Sequence, residues 1–166
     1  MAKVRIDFNL QLLTQDGRRP TSLAALAGDS RHVLLHFWSP WSEECEAYLP
    51  DFLTTASHLE KNGLRVVSVL AELGPEVLPD ADAFRAAAAD RSPAAWILEN
   101  EKSPLGRLLR VQNLPTAVLV DRTGSVLFNG HPADERMWNA LHDAVPQIVR
   151  PDLPPAERQE PPNPAE

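Results

Sequence analysis

The chain has 166 residues, a formal charge of −7 and a pI near 5.2. That length supports one domain with its own core, and the acidity argues against nucleic acid as a partner, because phosphate binding needs a basic face. No apolar run approaches the roughly 18 residues of a membrane span, a single cysteine excludes an internal disulfide, and the opening MAKVRIDF lacks the apolar core of a signal peptide.

Phe8–Leu13 (FNLQLL) alternates apolar and polar residues and is expected to form a short strand. Gln15-Asp16-Gly17-Arg18 is a turn signal, since Asp-Gly readily supplies positive φ. Leu23–Ala27 follows as a short helix closed by Gly28. Together these predict a β-hairpin extension ahead of the main sheet. His32–Trp38 (HVLLHFW) is apolar enough for a buried central strand. It turns directly into an amphipathic helix, about Ser42 to Lys61. Ser42 suits the N-cap, and Glu43 and Glu44 in the first turn favour the helix dipole. Cys45, Leu49, Phe52, Leu53, Ala56 and Leu59 form one apolar stripe. Pro50 lies inside this helix, where it is expected to cause a kink, and Asn62-Gly63 ends it.

Leu64–Leu70 is a second buried strand, followed by an expected loop over Glu72–Pro79. Ala81–Asp90 predicts an Ala-rich helix capped by Asp80 or Asp82. Ala95–Leu98 is a strand-like segment, and Ser103-Pro104 opens a helix through about Leu109. Pro115-Thr116 precedes an apolar strand ending at Asp121. Arg122-Thr123-Gly124 is a turn, and Ser125–Phe128 is the return strand. Gly130-His131-Pro132 turns the chain into a last helix, Asp134–Val145. Seven of the sixteen prolines fall within Pro146–Glu166, which assigns residues 1–146 to the folded domain and 147–166 to a disordered or extended tail.

The stretch Phe37-Trp38-Ser39-Pro40-Trp41-Ser42-Glu43-Glu44-Cys45-Glu46-Ala47-Tyr48-Leu49-Pro50 resembles the thioredoxin-fold signature F-W-A-x-W-C-x-x-C-x-x-x-x-P. It is closest to the TlpA/ResA-like redoxins of bacteria. Val111–Asp121 resembles the V-x-x-x-P-T-x-x-L-I-D run of the same family, and the hairpin segment resembles its opening. The likeness spans roughly Phe8–Pro146. It implies an α/β, thioredoxin-like three-layer sandwich, with a central mixed sheet flanked by helices. It also implies a cis Pro115 facing Cys45. The implied partner groove is walled by Trp38, Trp41, Leu114, Pro115 and Thr116, and takes an extended protein or peptide segment. Members of this type are often extracytoplasmic, which the resemblance carries over as an expectation.

One position departs from the family: Ser42 stands where the nucleophilic cysteine belongs, giving S-x-x-C. Dithiol–disulfide exchange needs an attacking and a resolving thiol, so the family's usual cycle is not available within this chain. Glu43, Glu44 and Glu46 are expected to raise the Cys45 thiol pKa against the pull of the helix N-terminus. His36 replaces the buried acid that many thioredoxins carry before Phe-Trp. It reads either as a replacement base for Cys45 or as a packed histidine. Three functions follow: a redox-degenerate module that binds a partner, a monothiol forming mixed disulfides, and a peroxiredoxin-like peroxidase using Cys45. The peroxidase pattern P-x-x-x-T/S-x-x-C fits Ser42 and Cys45 but wants proline at Trp38. The five histidines lack ligand spacing, and no cofactor or metal is expected.

Overall fold

The computed structural model describes residues 5–72, 75–88, 95–100, 102 and 104–150. Its elements are β1 (Leu12–Thr14), β2 (Pro20–Thr21), α1 (Leu23–Ala27), β3 (His32–Trp38), α2 (Glu43–Lys61), β4 (Arg65–Leu70), a 3-10 turn (Pro75–Val77), α3 (Leu78–Ala88), β5 (Ala95–Leu98), α4 (Leu105–Leu108), β6 (Thr116–Asp121), β7 (Val126–Gly130) and α5 (Glu135–Ala144). The strands form one sheet in the order β2-β1-β5-β4-β3-β6-β7. β3 and β5 run parallel to β4, while β6 runs antiparallel to β3 and β7. β1 and β2 form the expected N-terminal hairpin and join the sheet through β5.

The register of β3 explains the two cores. Its side chains alternate between faces. Leu34 and Trp38 pack with Phe52, Ala56 and Leu59 of α2 and with Met137 and Leu141 of α5. Val33, Leu35 and Phe37 point the other way, toward Leu23 of α1 and Leu105 of α4. Helices thus cover both faces of a mixed sheet, which is the expected α/β sandwich. Among the described residues, no helix is long and apolar enough to cross a membrane.

Three boundaries differ from the sequence reading. The first strand is Leu12–Thr14 rather than Phe8–Leu13. Asp7 turns the chain there, its carboxylate accepting from Asn9 N–H at 2.9 Å, and the Phe8 carbonyl accepts from Ala24 of α1. The expected loop over Glu72–Pro79 contains a 3-10 turn, and α3 starts at Leu78. Pro79 is tolerated because a first-turn N–H has no helical partner to lose. The expected Gly74 break and the Asp90 helix end lie outside the described residues. Pro50 lies inside α2, as the sequence reading has it. The packed chain also runs past residue 146: Ile148 is fully buried, and His142 and His58 bond the carbonyls of Ile148 and Val149 at 2.9 and 2.8 Å.

At the β6–β7 turn, Asp121 Oδ1 accepts from the backbone N–H groups of Thr123 and Ser125. Gly124 follows with φ +88°, and a Cβ on it would lie 2.1 Å from the Ile6 carbonyl oxygen. Both the backbone conformation and the lack of space require glycine there. Gly124→Ala is expected to lower stability by about 2–4 kcal/mol, as read by urea denaturation. A loss under half a kcal/mol would contradict the close approach.

Candidate functional site

The site forms where β3 ends and α2 begins. The chain leaves the sheet at Trp38 and makes a tight turn: Trp41 N–H donates to Ser39 Oγ at 3.0 Å, and Ser42 N–H donates to the Ser39 carbonyl at 3.2 Å. Ser42 is the N-cap of α2, its Oγ accepting from Cys45 N–H at 3.2 Å. This cap satisfies one of the orphan donors of the first helical turn. The hydroxyl at the family's nucleophile position therefore has a structural task.

Cys45 is only 2% exposed and is a free thiol within the apolar core cluster. Burial pushes its thiol pKa up, against hydrogen bonds from Ser42 and the Ser39 backbone that favour the thiolate. Of the three carboxylates expected to act, Glu44 alone contributes to the rise, behind burial. Glu43 and Glu46 are exposed to solvent, where water screens their charge.

His36 sits on the same face of β3 as Trp38, but it bonds elsewhere. Its Nδ1 lies 3.1 Å from Ser68 Oγ on β4, and its ring stacks on Phe52 with centroids 3.9 Å apart. Burial drives its pKa down to about 3. Among the described residues, no hydrogen bond joins His36 to Cys45. Of the two readings left open above, these contacts are those of a packed, neutral histidine.

The groove residues separate. Trp38 is fully buried, stacked on Phe84 at 4.6 Å and edge-on to Trp96 at 5.3 Å. It supports the site from beneath and walls no groove, a correction to its expected place. Its alternation in β3 sends it inward, where Phe84 of α3 stacks on it. Trp41 is 51% exposed, and its indole N–H donates to Asp80 Oδ2 at 2.8 Å. Asp80 is thus the anchor of Trp41 rather than a helix cap. Leu114 is half-buried, the Leu114–Pro115 peptide bond is cis, and Pro115 and Thr116 are buried. Thr116 Oγ1 donates to the Asn113 carbonyl.

Beside Pro115 and Thr116 opens a cleft of about 450 Å³. Its lining does not include Trp41: Arg110–Asn113 form one part and Asn129–His131 another, with Glu44 as its contribution from α2. Sequence reading missed Arg110 and Asn129, and took His131 as part of a turn. The fold brings these residues to Pro115 by the Arg110–Asn113 approach to β6 and by the β6–β7 pairing. No spacing in the sequence signals that proximity.

No protein-family model matches the chain, and no curated protein matches it. Solved structures do. The chain is similar to a Chlorobium tepidum protein carrying the description thiol:disulfide interchange protein DsbE, with TM-score 0.66 and 24% identity over 87% of this chain and 99% of that one. It is also similar to the thioredoxin domain of a Bacteroides vulgatus thiol-disulfide oxidoreductase, at TM-score 0.65 and 18% identity over 87% and 99%. A secreted Mycobacterium tuberculosis disulfide oxidoreductase matches at TM-score 0.61 and 16% identity over 82% and 96%. The chain therefore has the thioredoxin-like fold of thiol-disulfide oxidoreductases. At such identities the likeness establishes the fold, and the chemistry rests on this chain's own residues.

His36 gives the site a pH signature. An unfolded histidine binds a proton below about 6.5, whereas the folded one resists protonation down to about 3. The folded state binds fewer protons in that window, so its advantage is full above pH 6.5 and falls as the pH drops toward 3. Between pH 6 and 4.5, the wild type is expected to lose stability faster than His36→Gln by about 1.4 kcal/mol per pH unit, as read by urea denaturation. Parallel slopes for the two proteins would rule out a buried neutral His36.

Proposed function

We propose that this chain is a redox-degenerate thioredoxin-like module that holds an extended segment of a partner protein in the cleft beside Pro115. The observation that carries this reading is the state of Cys45. It is a single buried thiol whose pKa is raised, with Ser42 at the position where a second thiol would attack. A mixed disulfide formed by Cys45 would have no resolving thiol within the chain.

Two further observations support binding over turnover. Thiol peroxidases need a thiolate, and burial at Cys45 opposes one. His36, the candidate base, is bonded to Ser68 and has too little basicity to take a proton from a thiol at neutral pH. What remains open to a ligand is Trp41, fixed by Asp80, together with the cleft lined by Pro115 and Thr116. Proteins described by name as oxidoreductases share the fold. The reading assigned here is partner binding without that chemistry.

Thiol reactivity tests the non-redox half of the proposal. At pH 8 the folded protein is expected to react with a small aromatic disulfide at least tenfold more slowly than the urea-unfolded chain. A folded rate above the unfolded one would mean an activated thiolate and would restore the monothiol and peroxidase readings. Ser42→Cys rebuilds the C-x-x-C spacing at a helix N-terminus, which lowers thiol pKa. That variant is expected to reduce insulin in the presence of dithiothreitol well above the wild-type background. Equal activity in both proteins would show that Ser42 is not what separates this chain from a dithiol enzyme.

A further inference from the structure

We infer that the cleft beside Pro115 recognises a side-chain carboxylate on the bound segment, with Arg110 as its counter-charge. This inference rests on the reading of the cleft as a partner-binding site and adds the chemistry of the segment.

The argument begins with a backbone outlier. Arg110 follows α4 with φ +58°. Its N–H donates to the Arg107 carbonyl at 3.1 Å, and Val111 N–H donates to the Gly106 carbonyl at 2.7 Å. This paired closure of a helix end is where glycine is the usual residue, because a left-handed backbone disfavours any Cβ. Arginine stands there against its conformational preference. Among the described residues, the other non-glycine with positive φ is Arg18, at +51°. The Arg18 guanidinium is engaged by the Gln15 carbonyl and by Asp82. The Arg110 guanidinium has no hydrogen bond or ion pair with any described residue. Complementing the helix dipole is a weak reason for it, since α4 has four residues and already carries Arg107 in its last turn.

The surroundings of Arg110 are rich in donors. His131 Nδ1 accepts from Ala133 N–H at 3.0 Å, which places the proton of a neutral ring on Nε2 and leaves that N–H free to donate. The backbone N–H groups of Gln112, Asn113 and Leu114 bond no other described residue. Glu44 is the one carboxylate in the lining, and it forms no ion pair with Arg110. An unpaired guanidinium among free N–H groups is a site for an anionic acceptor, and its fork geometry suits a carboxylate.

The occupant is a peptide rather than a small free acid. The unpaired N–H groups of Gln112 and Asn113, both in the cleft lining, offer donors to a carbonyl of an extended chain, and about 450 Å³ far exceeds the size of a lone carboxylate. Glu44 on the α2 side makes the cleft bipolar, so the acidic residue is placed at the Arg110 end. The chain's charge of −7 opposes acidic partners at long range. That repulsion is screened beyond about 8 Å at physiological salt, and the local pair is not.

The test uses two acetylated, amidated eight-residue peptides of alanine and serine, alike except for a central glutamate in one and glutamine in the other. Binding is followed by calorimetry and by the amide resonances of residues 112–116. The glutamate peptide is expected to bind at least tenfold more tightly. Arg110→Gly is expected to cut that preference below twofold while raising the thermal midpoint, since glycine relieves the left-handed backbone. Arg110→Lys keeps a cation and is expected to retain part of the preference. Equal binding of both peptides, unchanged in Arg110→Gly, would overturn the carboxylate assignment and leave the partner-binding reading standing. If neither peptide perturbs residues 112–116, the partner-binding reading fails and this inference with it. If free glutarate binds as tightly as the glutamate peptide, the peptide source is overturned.

Discussion

Strand β3 has no free edge and no free face, and the rest of the molecule follows from that confinement. Its seven residues bond β4 on one side and β6 on the other. Leu34 and Trp38 are sealed by α2 and α5, and Val33, Leu35 and Phe37 by α1 and α4. A strand so enclosed has its register set by the alternation of its side chains, because a one-residue slip would exchange the two cores. Its last residue is therefore fixed in space. The turn at Ser39 and the cap at Ser42 then fix where α2 begins and where Cys45 lies.

The same confinement accounts for how the site differs from the chemistry its fold usually carries. The tight turn and N-cap survive the absence of a first cysteine because a serine hydroxyl accepts from Cys45 N–H as a cap should. With that role filled by serine, Cys45 remains a small buried hydrophobe whose ionisation is opposed by its surroundings. The imidazole of His36 is directed to Ser68 and Phe52 rather than to the thiol. Each position keeps its packing, while the groups that would make a thiolate useful are missing or engaged elsewhere.

The open surface at the site follows from the same packing. Trp38 lies beneath Phe84 and beside Trp96, and Trp41 is tied to Asp80 on α3. A cleft lies beside Pro115, between the Arg110–Asn113 segment and His131. That space is polar and donor-rich, and it meets the first turn of α2 only through Glu44. In the proposed partner-binding reading, recognition there would rest on hydrogen bonds and one cation rather than on apolar area.

Much of this was written in the chain. The run HVLLHFW, the cap Ser42, the stripe from Cys45 to Leu59 and the strand after Pro115 determine β3, α2 and β6, because each is a local pattern whose period or capping chemistry has one low-energy reading. The loss of dithiol chemistry is equally legible, since it follows from counting cysteines. Tertiary structure alone decided the rest. Whether Trp38 faces a groove or a core depends on α3, whose start at Leu78 was hidden by the prolines around it. Whether His36 serves Cys45 depends on Ser68, thirty-two residues away. The cleft joins Glu44, Arg110 and His131 from three distant segments. Side-chain partners of this kind are set by the folding of separate elements against one another, and no local period encodes them.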